Sequence, residues 1–216
     1  MFRIPDLLLC LSFCLTACGP SLEVKEETDE LGLRKEYEVD EAGVKQGYLR
    51  EYDSAGNLLL EERYTNDTLN GPRTVYDGAG TILAEENIVM GAYTGEHKSY
   101  DQAGNLEMTG VYSDGKMNGV WYIFYPDGGV KSELTFSAND QDGPVRQWRP
   151  DGKPEFSGTF SADGEDYTGD FFRYDEAGNL ARILDCDPAR GCMTYWTRDS
   201  TGGIPVQPVD MSRPTL

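Results

Sequence analysis

Histidine occurs once in 216 residues, at His97. That scarcity excludes zinc sites built on two histidines and leaves one candidate base for any Ser-His-Asp arrangement. Cysteine is scarce too: there are five, three of them within the first eighteen residues. Basic side chains are outnumbered, 19 Lys and Arg against 38 Asp and Glu, for a formal charge of −19. A chain this acidic repels nucleic acid and anionic headgroups, so nucleic acid is not an expected partner. Long apolar runs are missing as well. The only one, Leu7–Ala17, is 11 residues, and a helix that spans a bilayer needs about 20.

What is present at the start of the chain reads as a processing segment, residues 1–17, with Arg3 as its thin positive region. Leu15-Thr16-Ala17-Cys18 resembles the lipobox of a bacterial lipoprotein signal peptide. The resemblance implies a diacylglyceryl group on the Cys18 sulfur, cleavage just before it, and a membrane anchor made of lipid. Two or more acyl chains hold stably where one does not. Gly19 in place of Asp after the cysteine implies the outer membrane, facing the periplasm. Cys10 and Cys14 leave with the leader, so Cys186 and Cys192 remain. In an oxidising compartment they read as one local disulfide closing CDPARGC. A two-cysteine metal site is the competing reading, and it lacks further ligands.

The rest of the chain is organised by a repeat. Gly47, Gly71, Gly95, Gly119 and Gly143 are 24 residues apart, and Gly169 follows after 26. Five positions after each opening glycine stands an aromatic: Tyr52, Tyr76, Tyr100, Phe124, Trp148 or Tyr174. Position nine is Gly in every copy, position eleven is aliphatic or Pro154, and position seventeen is Tyr64, Ile88, Tyr112, Phe136, Phe160 or Cys186. Between positions five and eleven lies Asp-x-x-Gly-Asn or a relative, most fully written as YDSAGNL, YDQAGNL and YDEAGNL. Asp caps a type I turn and Gly supplies the positive φ for re-entering the partner strand. Each copy is therefore one β-hairpin that buries its apolar face by stacking on its neighbours. Period-2 alternation places positions eleven, thirteen, fifteen and seventeen on the face shared with position five, apolar mainly at its two ends, giving one narrow apolar stripe.

The expected fold is all-β: an open, elongated antiparallel β-meander of tandem hairpins, roughly a dozen strands with helix nearly absent. Residues 18–46 read as a lipidated N-terminus, a linker and a degenerate capping repeat, with Asp29, Gly32 and Gly43 in phase. Residues 47–192 hold six repeats, and 193–216 a final strand followed by a loose, proline-bearing tail.

GVWYIFYPDGGVKSELTFSANDQDG, residues 119–143, resembles the MORN repeat variant, with its opening glycine, aromatic strand, D-G turn and closing N-G or D-G. The resemblance covers roughly residues 30–192 and implies a non-catalytic β-repeat scaffold that contacts proteins or membranes. Bacterial proteins of this kind include lipoproteins, and some carry a YwqK-family antitoxin label. YDxxGNL also resembles YD or Rhs repeats, which are shorter and build shells needing far more strands. The regular spacing and the N-G at two openers, LNG 69–71 and MNG 117–119, favour the MORN variant.

No motif carries catalysis or a cofactor. The heptapeptide lacks the alternating oxygen ligands of an EF-hand loop. SADGEDYTGD, residues 161–170, gathers Asp163, Glu165, Asp166 and Asp170, a place for weak cation binding at most. His97 occupies a strand-face column that holds Leu49, Arg73, Trp121, Val145 and Phe171 elsewhere, so it reads as repeat variation. Aromatics exceed what one stripe needs. Trp121, Tyr122, Phe124, Tyr125, Phe171 and Phe172 fall on both faces, either as a contact surface or as rings covered by twist or tail. Three functions follow: an envelope scaffold for another protein, an antitoxin or immunity protein against a partner toxin, and an envelope polysaccharide hydrolase using paired carboxylates. The first is the leading expectation.

Overall fold

The computed structural model describes residues 21–161, 166–199, 204 and 206–216. The expected leader and Cys18 lie outside them. Tyr-, Val- and Thr-rich segments between glycine turns extend as strands, as their β-preference dictates. They are β1 Glu23–Thr28, β2 Arg34–Val39, β3 Lys45–Tyr52, β4 Leu58–Thr65, β5 Thr68–Tyr76, β6 Ile82–Val89, β7 Ala92–Tyr93 and β8 Gly95–Tyr100. The series continues with β9 Leu106–Ser113, β10 Lys116–Phe124, β11 Val130–Ser137, β12 Asp140–Trp148, β13 Pro154–Phe160, β14 Gly169–Tyr174, β15 Leu180–Asp187 and β16 Gly191–Thr197. All sixteen form one antiparallel sheet in chain order, with two-residue β7 pairing β6 off the main path. β1 and β16 are its open edges. β1 and β2 pair as an antiparallel hairpin within the stretch read as a degenerate repeat.

Two kinds of turn build the meander. In the first, Asp53 N–H donates to the Asn57 carbonyl at 2.9 Å, and Asp53 Oδ1 accepts from Ala55 N–H and Asn57 N–H at 2.9 and 2.8 Å. Gly56 takes φ 89°, which a Cβ disfavours. Where the turn opens on Tyr125 or Arg149 instead, the aspartate moves two places on. Asp127 then caps Gly129 N–H, and Asp151 caps Lys153 N–H. Imperfect spellings of the heptapeptide thus keep the same corner by another route.

The second turn stitches neighbouring copies together. Asp67 N–H reaches back to the Lys45 carbonyl at 3.1 Å, Gly91 to Leu69 at 2.9 Å, Gly115 to Tyr93 at 2.9 Å and Asn139 to Met117 at 3.1 Å. The asparagine before the opener helps: Asn118 Oδ1 accepts from Ala138 N–H at 3.0 Å and Asn70 Oδ1 from Met90 N–H at 3.3 Å. Each copy therefore satisfies backbone groups of the next, which is how a hairpin too small to stand alone is held.

The single stripe expected from alternation is corrected by the register. In every copy it shifts just before position five, at Glu51/Tyr52, Val75/Tyr76, Ser99/Tyr100, Ile123/Phe124, Gln147/Trp148 and Arg173/Tyr174. One strand carries an extra residue there, a β-bulge, so residues on either side of it change face. Positions five and eleven share the front face, where Phe124, Val130 and Trp148 form a buried cluster. Position seventeen lies on the back face, where Tyr112 and Phe136 flank Trp121 at ring distances of 5.1 and 6.2 Å. The sheet has two apolar stripes instead of one.

The tail departs from expectation as well. β16 is the expected last strand, but beyond it the chain is docked across the front face. Met211 packs on the Phe124–Val130–Trp148 cluster and Val206 on a second cluster of Phe172, Ile183 and Trp196. Trp148 Nε1 donates to the Met211 carbonyl at 2.8 Å, Arg146 Nη1 to the Asp210 carbonyl at 3.0 Å, and Arg213 Nε to the Val130 carbonyl at 2.8 Å. The aromatic front of β10–β16 needs a cover, and an extended segment with an apolar residue every few positions supplies it.

Candidate interaction surface

The six aromatics read either as a contact surface or as covered rings are mostly packed inside the chain. Trp121 is 0% exposed, Phe124 8%, Phe171 5% and Phe172 5%. Tyr122 packs on the front cluster, and Tyr125 OH donates to the Trp148 carbonyl at 2.9 Å. The surplus of rings is explained by the bulge: with two stripes to fill, both faces of β10 and β14 are core.

On the back face, position fifteen of one copy meets position two of the next. Glu62 faces Arg73, Glu86 faces His97, Gly110 lies under Trp121, and Leu134 pairs with Val145. The glycines are required by the rings. A Cβ on Gly110 would lie 2.1 Å from Trp121, and one on Gly158 2.5 Å from Phe171. Toward the N-terminal side the same columns hold a charge row instead. Arg73 bridges Glu62 at 3.4 Å and Glu86 at 2.6 Å, and His97 Nδ1 stands 3.4 Å from the other Glu86 oxygen. Glu62 and His97 are each 7% exposed. His97 then joins the rings, 5.6 Å from Tyr112 and 5.5 Å from Trp121.

Burial works against the Glu86 carboxylate, but the adjacent His97 side chain and the hydrogen bond from Arg73 outweigh it and hold its pKa below the usual glutamate value. Burial, with help from Glu62, pushes the Tyr64 phenol up to about 12. Arg73 and His97 stand at opposite oxygens of Glu86, so that carboxylate is enclosed within the sheet. The sequence reading of His97 as repeat variation missed this row. The signal was the acid–base complementarity between column fifteen and the following column two.

Among the described residues no group of three or more His, Cys, Asp and Glu side chains is placed to hold a metal. In the acidic loop, Asp163 and Glu165 lie outside the described residues, while Asp170 accepts a 2.5 Å hydrogen bond from Tyr195 OH. Cys186 and Cys192 form a disulfide with Cα atoms 3.9 Å apart, joining β15 to the edge strand β16.

The front face of β2–β9 is solvent-facing and carries ion pairs such as Arg50–Glu61 at 2.6 Å. On the second-turn side of that face, Val111 and Val120 remain 49% and 42% exposed, and Val209 of the tail 51%. They are three of several exposed apolar groups, with Val24, Val89 and Met193 on other strands.

The MORN repeat variant matches residues 93–114 and 117–138. These two copies, β7–β9 and β10–β11, support reading the chain as a MORN-variant repeat protein. No curated protein matches the chain. Among solved structures, a porin-like protein from Bacteroides uniformis is similar at 14% identity and a TM-score of 0.24, over 81% of this chain and 92% of that one. At that score the likeness carries no argument about function.

Proposed function

We propose that this chain is a non-catalytic repeat scaffold, held in a bacterial cell envelope by lipid on Cys18, that binds another protein. The observation that carries the reading is the unbroken repeat sheet. Hairpins of the geometry seen at residues 93–138 continue before and after them, from β1 to β16. Repeat sheets of this kind act through extended surface, and MORN repeats serve as protein-contact scaffolds. The anchor rests on the Leu15–Cys18 tetrapeptide, and the acidic character on the 38 carboxylates of the full chain, all but Asp6 of them beyond the leader.

Labelled palmitate tests the anchor: wild type takes up label and fractionates with membranes, and Cys18→Ser does neither. Affinity capture of the full chain from gently solubilised envelopes tests the scaffold. A specific protein should be enriched over a tag-only control. No enrichment across several detergents would sink the scaffold reading.

A further inference from the structure

The tail lies across β10–β15 without joining the β-ladder, as an extended segment carrying Pro208 and Pro214. Its main chain is read by side chains of the sheet: Arg146 and Trp148 each donate to a tail carbonyl. Such contacts recognise extended backbone, and Met211 and Val206 on the two apolar clusters set which side chains fit it. Beneath the same tail the sheet holds donors that it leaves unanswered. Ser157 is 1% exposed and Trp196 9%; among the described residues Trp196 Nε1 has no hydrogen-bond partner, and Ser157 Oγ has only the neighbouring Tyr174 hydroxyl to turn to. Groups of this kind almost always find partners in a completed interface.

Space accompanies them. Ser157, Phe172, Gln207 and Val209 line a cavity of about 370 Å³, and a second of about 340 Å³ shares Thr159 and Val209 with it. The second reaches the exposed Val120. The tail therefore fits this trough incompletely.

We propose that the front of β10–β15 is a binding trough for an extended, proline-containing apolar peptide segment of a partner protein, and that the tail occupies it in cis. The proposal rests on the scaffold reading and names its site and partner chemistry. A partner segment of the tail's character takes the tail's place, accepts from Arg146 and Trp148 as the tail does, and reaches Ser157 as the tail does not.

The test uses the full chain and a fluorescent peptide with the sequence of residues 204–216, read by anisotropy against a scrambled peptide. A tethered segment sits at an effective concentration on the order of millimolar, so wild type should bind the free peptide poorly. Met211→Ser with Arg213→Ala removes the tail's anchors, and peptide affinity should rise by at least about tenfold. Adding Trp148→Phe keeps the ring and deletes its donor, and affinity should fall back about fivefold, the worth of one hydrogen bond. A released variant that stays folded by circular dichroism, yet binds the peptide no better than the scrambled one, overturns the proposal. Should that variant not fold, hydrogen exchange on wild type decides. Saturating peptide must speed exchange at tail amides 206–213, and unchanged exchange overturns the proposal. Envelope capture keeps the two readings apart: a partner retained while the peptide fails leaves the scaffold standing and removes only the trough.

Discussion

The two halves of this sheet are built on one repeat and finished with opposite chemistry. In β4–β8 back-face columns fifteen and two hold Glu62, Arg73, Glu86 and His97, a polar, ion-paired row that begins beside the buried Leu49 of β3. In β9–β14 the same columns hold Gly110, Trp121, Leu134, Val145, Gly158 and Phe171, an apolar row. The front faces diverge in parallel, charged and open on β2–β9, aromatic and tail-covered on β10–β16. Backbone turns and inter-copy bonds specify the meander, while the side-chain columns need only be complementary between neighbours. Charge against charge and ring against glycine are interchangeable solutions to one geometric slot.

The largest test of that equivalence is made at the apolar row. Trp121→Ala removes a fully buried indole from between Tyr112 and Phe136. Truncation of a core aromatic costs about 3–5 kcal/mol, which urea denaturation of the full chain would register as a lower midpoint. A loss below about 1 kcal/mol would mean the ring is not core.

The charge row should respond differently. Arg73→Met leaves Glu62 and Glu86 facing each other with Arg73's charge gone, and stranding a buried carboxylate costs about 3 kcal/mol or more. Replacing all three, Glu62→Met with Arg73→Met and Glu86→Leu, removes the stranded charge together with its partner. The triple variant should regain most of the stability, because buried ion pairs and apolar groups of similar size are often near break-even. A triple variant as unstable as the single one would show that the columns do not interchange.

Acid separates the halves more gently. Turn carboxylates occur in both: Asn57 and Asn105 side chains hold Asp53 and Asp101 below the usual value, and the Thr81 N–H does so for Asp77. Lys153 acts likewise on Asp151, and Arg198 on Asp175. Glu86, also lowered, belongs to the N-terminal half alone. A carboxylate with a depressed folded pKa contributes stability above its unfolded value, about 4, and loses it as pH falls through the folded value. Hydrogen exchange at progressively lower pH should therefore open β4–β8 before β11–β13. Stability that instead rises on acidification would mean that relief of self-repulsion at a net charge of −19 dominates.

Much of this architecture could be read from glycine spacing, because an opener every 24 residues and a D-x-x-G corner leave few alternatives to stacked hairpins. The face of each side chain could not. A bulge before Tyr52 or Phe124 adds no unusual residue, yet it exchanges front for back and turns one expected stripe into two. The tail was misread for a related reason. IPVQPVDMSRPTL has no period, and its docking depends on Trp148 and Arg146, more than fifty residues earlier. The charge row was visible in principle, since Glu62 with Arg73 and Glu86 with His97 repeat one acid–base pairing at the same offset. Scanning columns one at a time conceals a pattern that exists only between columns.

The smallest prediction asks whether the turns, unlike the columns, are the same in both halves. Met90 and Ala138 begin equivalent second turns and take φ 50° and 54°, a left-handed conformation that costs an ordinary side chain about 1 kcal/mol. Both are exposed, and in both the main-chain N–H is the bonded group, to Asn70 and Asn118 respectively. Asparagine tolerates this region, so Met90→Asn and Ala138→Asn should each stabilise the chain by roughly 0.5–1 kcal/mol without altering the turn's hydrogen bonds. Equal gains in thermal midpoint would show that the corner is a local device indifferent to the row beneath it. A gain at Ala138 with none at Met90 would show that the ion-paired half already relaxes its turns, and the separation of backbone from column chemistry would fail.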